Sequence, residues 1–341
     1  MDNHQNEIVS GEKLRIGVCG IGSIGFRHAQ LLSRRGDITL YLCDKSISHL
    51  EAAAGSLSNL SETTDSFEKL LEMNLDGLVI ATPDPLHVSQ TEAACRKGIP
   101  TLLEKPVAEN ARQAKALAEF HRSTGVPTLV GYSLRHSGVF LKAKELFDSG
   151  LIGSPVSFQV MLGAYDTLVL AKDRFKATDV DKLFVDYSHE WDYINWFLGQ
   201  VSRVVATSRQ SGNLEKSQNP NVADCLLELE SGISGTAHLD YVQSPPQRCF
   251  TIIGDRGALT VNTIPGVVTV KIYGEQFDRI YRILEQRDVM MDRQLDHFIG
   301  VVRGSEKPRV TLEEGLNALR VADALVLSCQ QNSWQALNSA E

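Results

Sequence analysis

Residues 14–25 read Leu-Arg-Ile-Gly-Val-Cys-Gly-Ile-Gly-Ser-Ile-Gly, and this stretch decides how the rest of the chain is read. Leu14 to Cys19 is a short apolar run of the kind that forms a buried parallel strand. Gly20-Ile21-Gly22-Ser23-Ile24-Gly25 is a glycine-rich turn, and Ile24, Ala29, Leu31 and Leu32 then recur at helical spacing. A second apolar run, Ile38 to Cys43, ends in Asp44. Strand, glycine turn, helix, strand and acid form the context of a dinucleotide-binding fingerprint. Gly20 permits the tight turn, Gly22 lets backbone approach a pyrophosphate, and Gly25 lets the helix pack on the strand. The N–H groups near Ser23 and Ile24 face an anion with the helix dipole behind them. At Asp44 a carboxylate would accept from the adenosine ribose hydroxyls and repel a 2′-phosphate, which favours NAD over NADP.

The chain beyond it continues the alternation. Gly77 to Thr82 and Pro100 to Leu103 read as buried strands that close on Pro83-Asp84-Pro85 and Glu104-Lys105-Pro106, and Thr128 to Gly131 is one more. Helices fall over 46–57, 66–73, from His87 to about Gly98, and over 110–123. Strands alternating with helices make a doubly wound parallel sheet, whose ligands bind beyond the carboxyl ends of the strands. Thr82, Glu104 and Lys105 stand at such ends, on the rim of the glycine loop. From Val156 onward, strands over 156–162, 201–209, 222–230, 233–242, 249–253, 258–263 and 267–273 follow one another with few helices. Helices over 288–302 and 311–329 close the chain, the last with a Thr311/Glu314 capping box. The expected fold class is α/β: an N-terminal Rossmann domain over 1–133, then an α+β domain over 134–341 with a largely antiparallel open sheet.

Composition narrows the function classes. The 341 residues suffice for two domains, and a net charge of −8 argues against a nucleic-acid or anionic-membrane surface. The start lacks a signal-peptide core and no apolar run reaches membrane-spanning length, so the expected compartment is the cytoplasm. Cys19, Cys43, Cys95, Cys225, Cys249 and Cys329 form no Cys-x-x-Cys pair, and the nine histidines show no metal-ligand spacing. No disulfide frame and no metal are expected.

The glycine loop, Ala81-Thr82-Pro83 with His87, and Glu104-Lys105-Pro106 together resemble the glucose–fructose oxidoreductase / inositol dehydrogenase / MocA family over residues 14 to 330. The resemblance implies that Thr82, Pro83, His87 and Glu104 belong to the cofactor wall. It further implies that Pro106 follows a cis or strained peptide that aims Lys105 at nicotinamide and substrate. In the second half, Asp186-Tyr187-Ser188-His189-Glu190-Trp191-Asp192 is the chemical centre. Tyr187, Trp191, Ile194 and Leu198 share one helical stripe that Gly199 ends, while Asp186 and His189 sit three apart on another face. A carboxylate beside an imidazole suits a general base, and the family places an Asp–His catalytic pair on this helix. The commoner family spacing is four, so this chain resembles a subgroup with an Asp-x-Ser-His-Glu-x-Asp signature. Glu190 and Asp192 read as structural or solvent-facing.

Arg135, after the last sheet strand, is a candidate contact to cofactor or substrate, with a surface arginine as the alternative. Tyr165, Arg174 and Tyr241 are candidates for a polyhydroxyl pocket, Arg174 also for an anionic substituent, though each also reads as an ordinary exposed residue. The expected activity is hydride transfer between NAD and a secondary alcohol of a sugar, inositol or sugar derivative, with Lys105, Asp186 and His189 catalytic. NAD-recycling oxidative cleavage of a glycoside or sugar substituent, and a non-catalytic NAD-sensing regulator, are the alternatives. Family resemblance implies a homodimer or homotetramer; the only other partner expected is the small polyol or sugar.

Overall fold

The computed structural model describes residues 13–165, 182–212 and 220–337. It divides into two compact units that interleave along the chain. The first takes residues up to Glu104 with Phe120–Leu129 and Leu295–Pro308; the second takes Lys105–Glu119, Val130–Gln294 and the rest from Arg309.

The first unit is built on β1 (Leu14–Cys19), α1 (Ser23–Ser33), β2 (Ile38–Cys43), α2 (Ile47–Ala54), β3 (Leu60–Thr64), α3 (Phe67–Leu71), β4 (Gly77–Ile80), α4 (His87–Arg96) and β5 (Thr101–Leu103). The helix α5 (Ala111–Thr124) leads to β6 (Thr128–Val130), and the six strands run in the order β3-β2-β1-β4-β5-β6. The central strands carry side chains that are buried whichever face they point to, because helices cover both faces. Ile16, Val18, Leu40, Leu42, Leu78, Val79 and Ile80 are all fully buried. The doubly wound sheet is as expected from the alternation. The strand β3 has no apolar run to announce it. It lies at the sheet edge, where exposed Ser61, Glu62 and Thr63 face water.

The second unit holds α6 (Gly138–Asp148), β7 (Pro155–Gly163), α7 (Lys182–Asp186), α8 (Ser188–Leu198), β8 (Val201–Arg209), β9 (Val222–Leu229), β10 (Ser234–Asp240), β11 (Gln247–Gly254), β12 (Gly257–Asn262), β13 (Val267–Ile272), β14 (Arg279–Arg282), the start of α9 (Arg287–Val302, whose residues from Leu295 belong to the first unit), α10 (Leu312–Gln331) and β15 (Gln335–Ala336). Its nine strands run β14-β13-β12-β11-β7-β10-β9-β8-β15, antiparallel at every pair except β7 with β10. Alternation sets the faces: Cys225, Leu227 and Leu229 of β9 are buried, while the neighbouring Asp224 and Leu226 are exposed. The helix α10 starts with the expected capping box, with Thr311 Oγ1 accepting from Glu314 N at 3.2 Å, and packs on α8 and β8. Strands β14 and β15 carry no period-two pattern in the sequence; β14 is a charged edge and β15 has two residues.

One buried ion pair ties α8 to the rest of this unit. Arg135, in the 3-10 turn Ser133–His136, is 3% exposed and meets Asp192 of α8 through two bonds, Nε to Oδ2 at 3.0 Å and Nη2 to Oδ1 at 2.7 Å. Its Nη1 reaches Glu314 Oε1 of α10 at 2.8 Å, and Trp196 lies under the guanidinium at 5.0 Å. Burial raises the Asp192 pKa to about 6 despite Arg135. Removing one partner of such a pair strands a charge in the core. Arg135→Ala is therefore expected to lower unfolding stability by about 3–5 kcal/mol, measured by urea unfolding followed by tryptophan fluorescence. Arg135→Met with Asp192→Leu should recover most of the loss, whereas a loss within about 1 kcal/mol for the single variant would show the pair to be exposed to water.

Candidate active site

In the first unit the carboxyl ends of β2, β1, β4 and β5 are laced side by side. Gly20 N donates to Cys43 O at 2.8 Å, Ala81 N to Cys19 O at 2.8 Å, and Glu104 N to Ile80 O at 2.9 Å. The three glycines of the loop have separate causes. Gly20 has φ +85°, and a Cβ there would lie 2.6 Å from the Ala81 carbonyl oxygen. A Cβ at Gly25 would collide with the Gly20 carbonyl oxygen. At Gly22 a Cβ would meet nothing within 4 Å, so no contact inside the protein demands a glycine there. An open space at that position, beside a helix start, is the cradle a pyrophosphate fills. The start of α1 also lacks a side-chain cap, whereas Ser46 and Ser66 cap α2 and α3.

Asp44 ends β2 with both carboxylate oxygens engaged: Oδ2 accepts from Ile21 N at 2.5 Å and Oδ1 from Ser46 N at 2.7 Å. It thus pins the glycine loop; His49 Nδ1 also lies 3.5 Å from Oδ2, and Oδ1 keeps a lone pair for a ribose hydroxyl. A 2′-phosphate would meet this carboxylate, so the residues fit NAD. Beyond β4, Thr82 donates to Gln90 Oε1 at 2.6 Å, and buried His87 meets the Thr82 carbonyl at 2.8 Å through Nε2. Pro83 leads into the turn Asp84–Leu86, and Glu104 Oε1 lies 2.7 Å from Nε2 of fully buried His28. Of the expected cofactor wall, His87 and Glu104 thus brace the rim from below. His28 sits in a stretch that reads as ordinary helix, and only the fold reveals its partner.

In the second unit, Lys105 opens the segment, joined to Pro106 by a cis peptide. Its Nζ donates to the Asp186 carbonyl oxygen at 3.0 Å. The Asp186 carboxylate accepts from Tyr241 Oη at 3.1 Å, and burial, then the Asp186 charge, holds the Tyr241 pKa well above its usual value. The expected Asp186–His189 hydrogen bond does not form among the described residues: His189 Nδ1 is shut off from water without a partner. Spacing of three brings residues together only in one continuous helix. Here α7 ends at Asp186, Tyr187 has φ −93° and ψ 26°, and α8 starts at Ser188.

His189 stands edge-on to Tyr132, ring centroids 5.4 Å apart. Its pKa lies well below 6.5, chiefly through burial and then through the charges of Lys105, Arg248 and Arg287. The imidazole is therefore neutral near pH 7 and free to take a proton. Glu190, expected as structural or solvent-facing, is 0% exposed and pairs with Arg248 of β11, Nε to Oε1 at 3.0 Å. Asp192 is equally buried. Arg135 corrects the expectation of a ligand contact or surface residue, since Asp192 and Glu314 occupy its three guanidinium nitrogens. Tyr241 is 4% exposed and serves Asp186, and half-buried Tyr165 bonds through its backbone N to Gln243 O at 2.9 Å. Arg174 lies outside the described residues.

Among the described residues no His, Cys, Asp or Glu cluster is arranged to hold a metal, and no helix is long and apolar enough to cross a membrane. The six cysteines are free thiols.

Comparison with known proteins matches both halves of the chain. Residues 14–132 match the oxidoreductase family model for an NAD-binding Rossmann fold, and 144–337 match its C-terminal alpha/beta domain. The chain is 26% identical to the scyllo-inositol 2-dehydrogenase (NAD(+)) of Bacillus subtilis, covering 88% of this chain and 89% of that one. It is 27% identical to the myo-inositol 2-dehydrogenase of Thermotoga maritima, covering 93% and 97%. The crystal structure of scyllo-inositol dehydrogenase from Lactobacillus casei with bound NAD(H) and scyllo-inositol superposes with a TM-score of 0.81 at 21% identity, covering 96% and 99%. With the glycine cradle, Asp44 and both domain matches in place, the chain belongs to the glucose–fructose oxidoreductase / inositol dehydrogenase / MocA family and is an NAD-dependent oxidoreductase.

Proposed function

We propose that this protein oxidises a secondary alcohol of a sugar, inositol or sugar derivative, with NAD as the hydride acceptor. The observation that carries the reading is a neutral, partly accessible His189 beside the cation Lys105. His189 takes the hydroxyl proton as the carbon-bound hydrogen leaves as hydride. Lys105 orients the oxygen and stabilises the negative charge that develops on it. NAD, when bound, supplies the acceptor carbon for that hydride. Asp186 positions rather than relays: its carbonyl holds Lys105 and its carboxylate is held by Tyr241. The inositol dehydrogenases to which the chain is similar favour this substrate class. A lysine and a titratable histidine together have no use in a protein that only senses the dinucleotide.

One face of the second unit's sheet carries, among the described residues, an open groove of about 570 Å³ lined by Met161, Val205 and Leu226 among others. We infer that a second copy of the chain covers it, giving a homodimer or a tetramer built from dimers.

Lys105→Met and His189→Ala are each expected to lower kcat/KM by about 10²–10⁴-fold on the best substrate of a polyol and sugar panel with NAD; full turnover in both would refute the assignment. In the wild type, activity should fall only as pH drops through a value well below 6.5, because His189 works unprotonated. In Lys105→Met the acid limb should move upward, since the neighbouring positive charge is gone. Gly22→Val should leave thermal stability nearly unchanged while weakening NAD binding about tenfold or more by titration calorimetry; equal losses in both would assign Gly22 to the fold. Light scattering should give a mass of two or four chains at micromolar concentration, and a monomer would remove the proposed interface.

A further inference from the structure

The charges around His189 do not match a wholly neutral substrate. Among the described residues, the charged groups that act on His189 are the cations Lys105, Arg248 and Arg287. Arg248 is the informative one. On β11 it has the parity of buried Phe250 and Ile252, so it lies on the helix-covered face of the sheet with Glu190, opposite Leu162 of β7. Its side chain is nonetheless 22% exposed. Its Nε makes an ion-pair contact with Glu190 outside hydrogen-bond geometry, and the two terminal nitrogens have no partner among the described residues.

Glu190 explains why the arginine stays there. It is 0% exposed, its carboxylate accepts no hydrogen bond of good geometry, and burial raises its pKa against the pull of Arg248. Burying such a pair gains little stability over apolar side chains of the same volume. What it does supply is a tether: a guanidinium held at one edge by Glu190, with a partly exposed side chain whose charge is felt at the proposed base. That fork matches a carboxylate or a phosphate through two parallel bonds.

We propose that the substrate is an anionic polyol, carrying a carboxylate or phosphate that Arg248 binds while Glu190 holds the arginine in place. This rests on the reading of His189 and Lys105 as the oxidation site and names the substrate class of that site. Arg248 is then the specificity residue and Glu190 a positioning residue.

The test uses matched pairs in the NADH absorbance assay: myo-inositol with an inositol monophosphate, glucose with glucuronate and with glucose 6-phosphate. For wild type, kcat/KM is expected to be at least tenfold higher on the anionic member of one series, which tells carboxylate from phosphate. In Arg248→Gln that ratio should fall to about one, Arg248→Lys should retain part of it, and Glu190→Gln should lower it through KM more than kcat. Arg248→Gln with Glu190→Gln, which leaves no buried carboxylate behind, guards against a folding defect, checked by thermal melting. Calorimetric binding of gluconate against sorbitol to the NADH-loaded protein gives a second readout. Turnover with no preference for the anionic member overturns the inference and leaves the oxidoreductase reading standing. An Arg248-dependent binding preference without turnover on any pair does the reverse, and a preference that survives Arg248→Gln assigns the anion to another residue and overturns the inference.

Discussion

The helix α8 carries two carboxylates into the interior of its unit, and each has its own arginine. Asp192 takes Arg135 from the turn after the parallel sheet, and Glu190 takes Arg248 from β11. A buried carboxylate without a partner is among the largest single penalties a fold can carry, so each acid on the helix needs its arginine close by. His189 lies between Ser188 and Glu190 in the first turn, and its surroundings follow from that placement. Burial and three cations make it neutral.

The first unit solves a different problem: to bring backbone close to an anion without collapsing onto itself. Two of the loop's glycines are filled against from below, by the Ala81 carbonyl and by the loop's own Gly20 carbonyl. The third stands clear. Asp44 holds Ile21 N from the side, and His87 holds the Thr82 carbonyl beneath. Each loop of the rim is stapled by a side chain from its own neighbourhood, so the unsatisfied N–H groups of α1 stay presented at a defined place.

How far these features could be read in the chain depended on whether their cause was local. The glycine spacing, the acid after β2 and the Glu-Lys-Pro end of β5 are local rules, and they sufficed to predict NAD and the parallel sheet. The Thr311 capping box and the stop at Gly199 were legible for the same reason. Strand β3 was not, because an edge strand with one wet face needs no apolar run. The Asp186–His189 pairing failed because it assumed one helix where the backbone breaks at Tyr187.

The sequence by itself determined the family and the NAD cofactor, and it singled out the lysine and histidine that the proposed function uses, since each rests on short-range patterns of residue type. Only the tertiary structure decided what the remaining charges do. Arg135 and Arg248 look alike in the chain, yet one is saturated by Asp192 and Glu314 while the other keeps two nitrogens unpaired among the described residues. That difference is set by carboxylates 57, 58 and 179 residues away, and no local pattern encodes contacts over such separations.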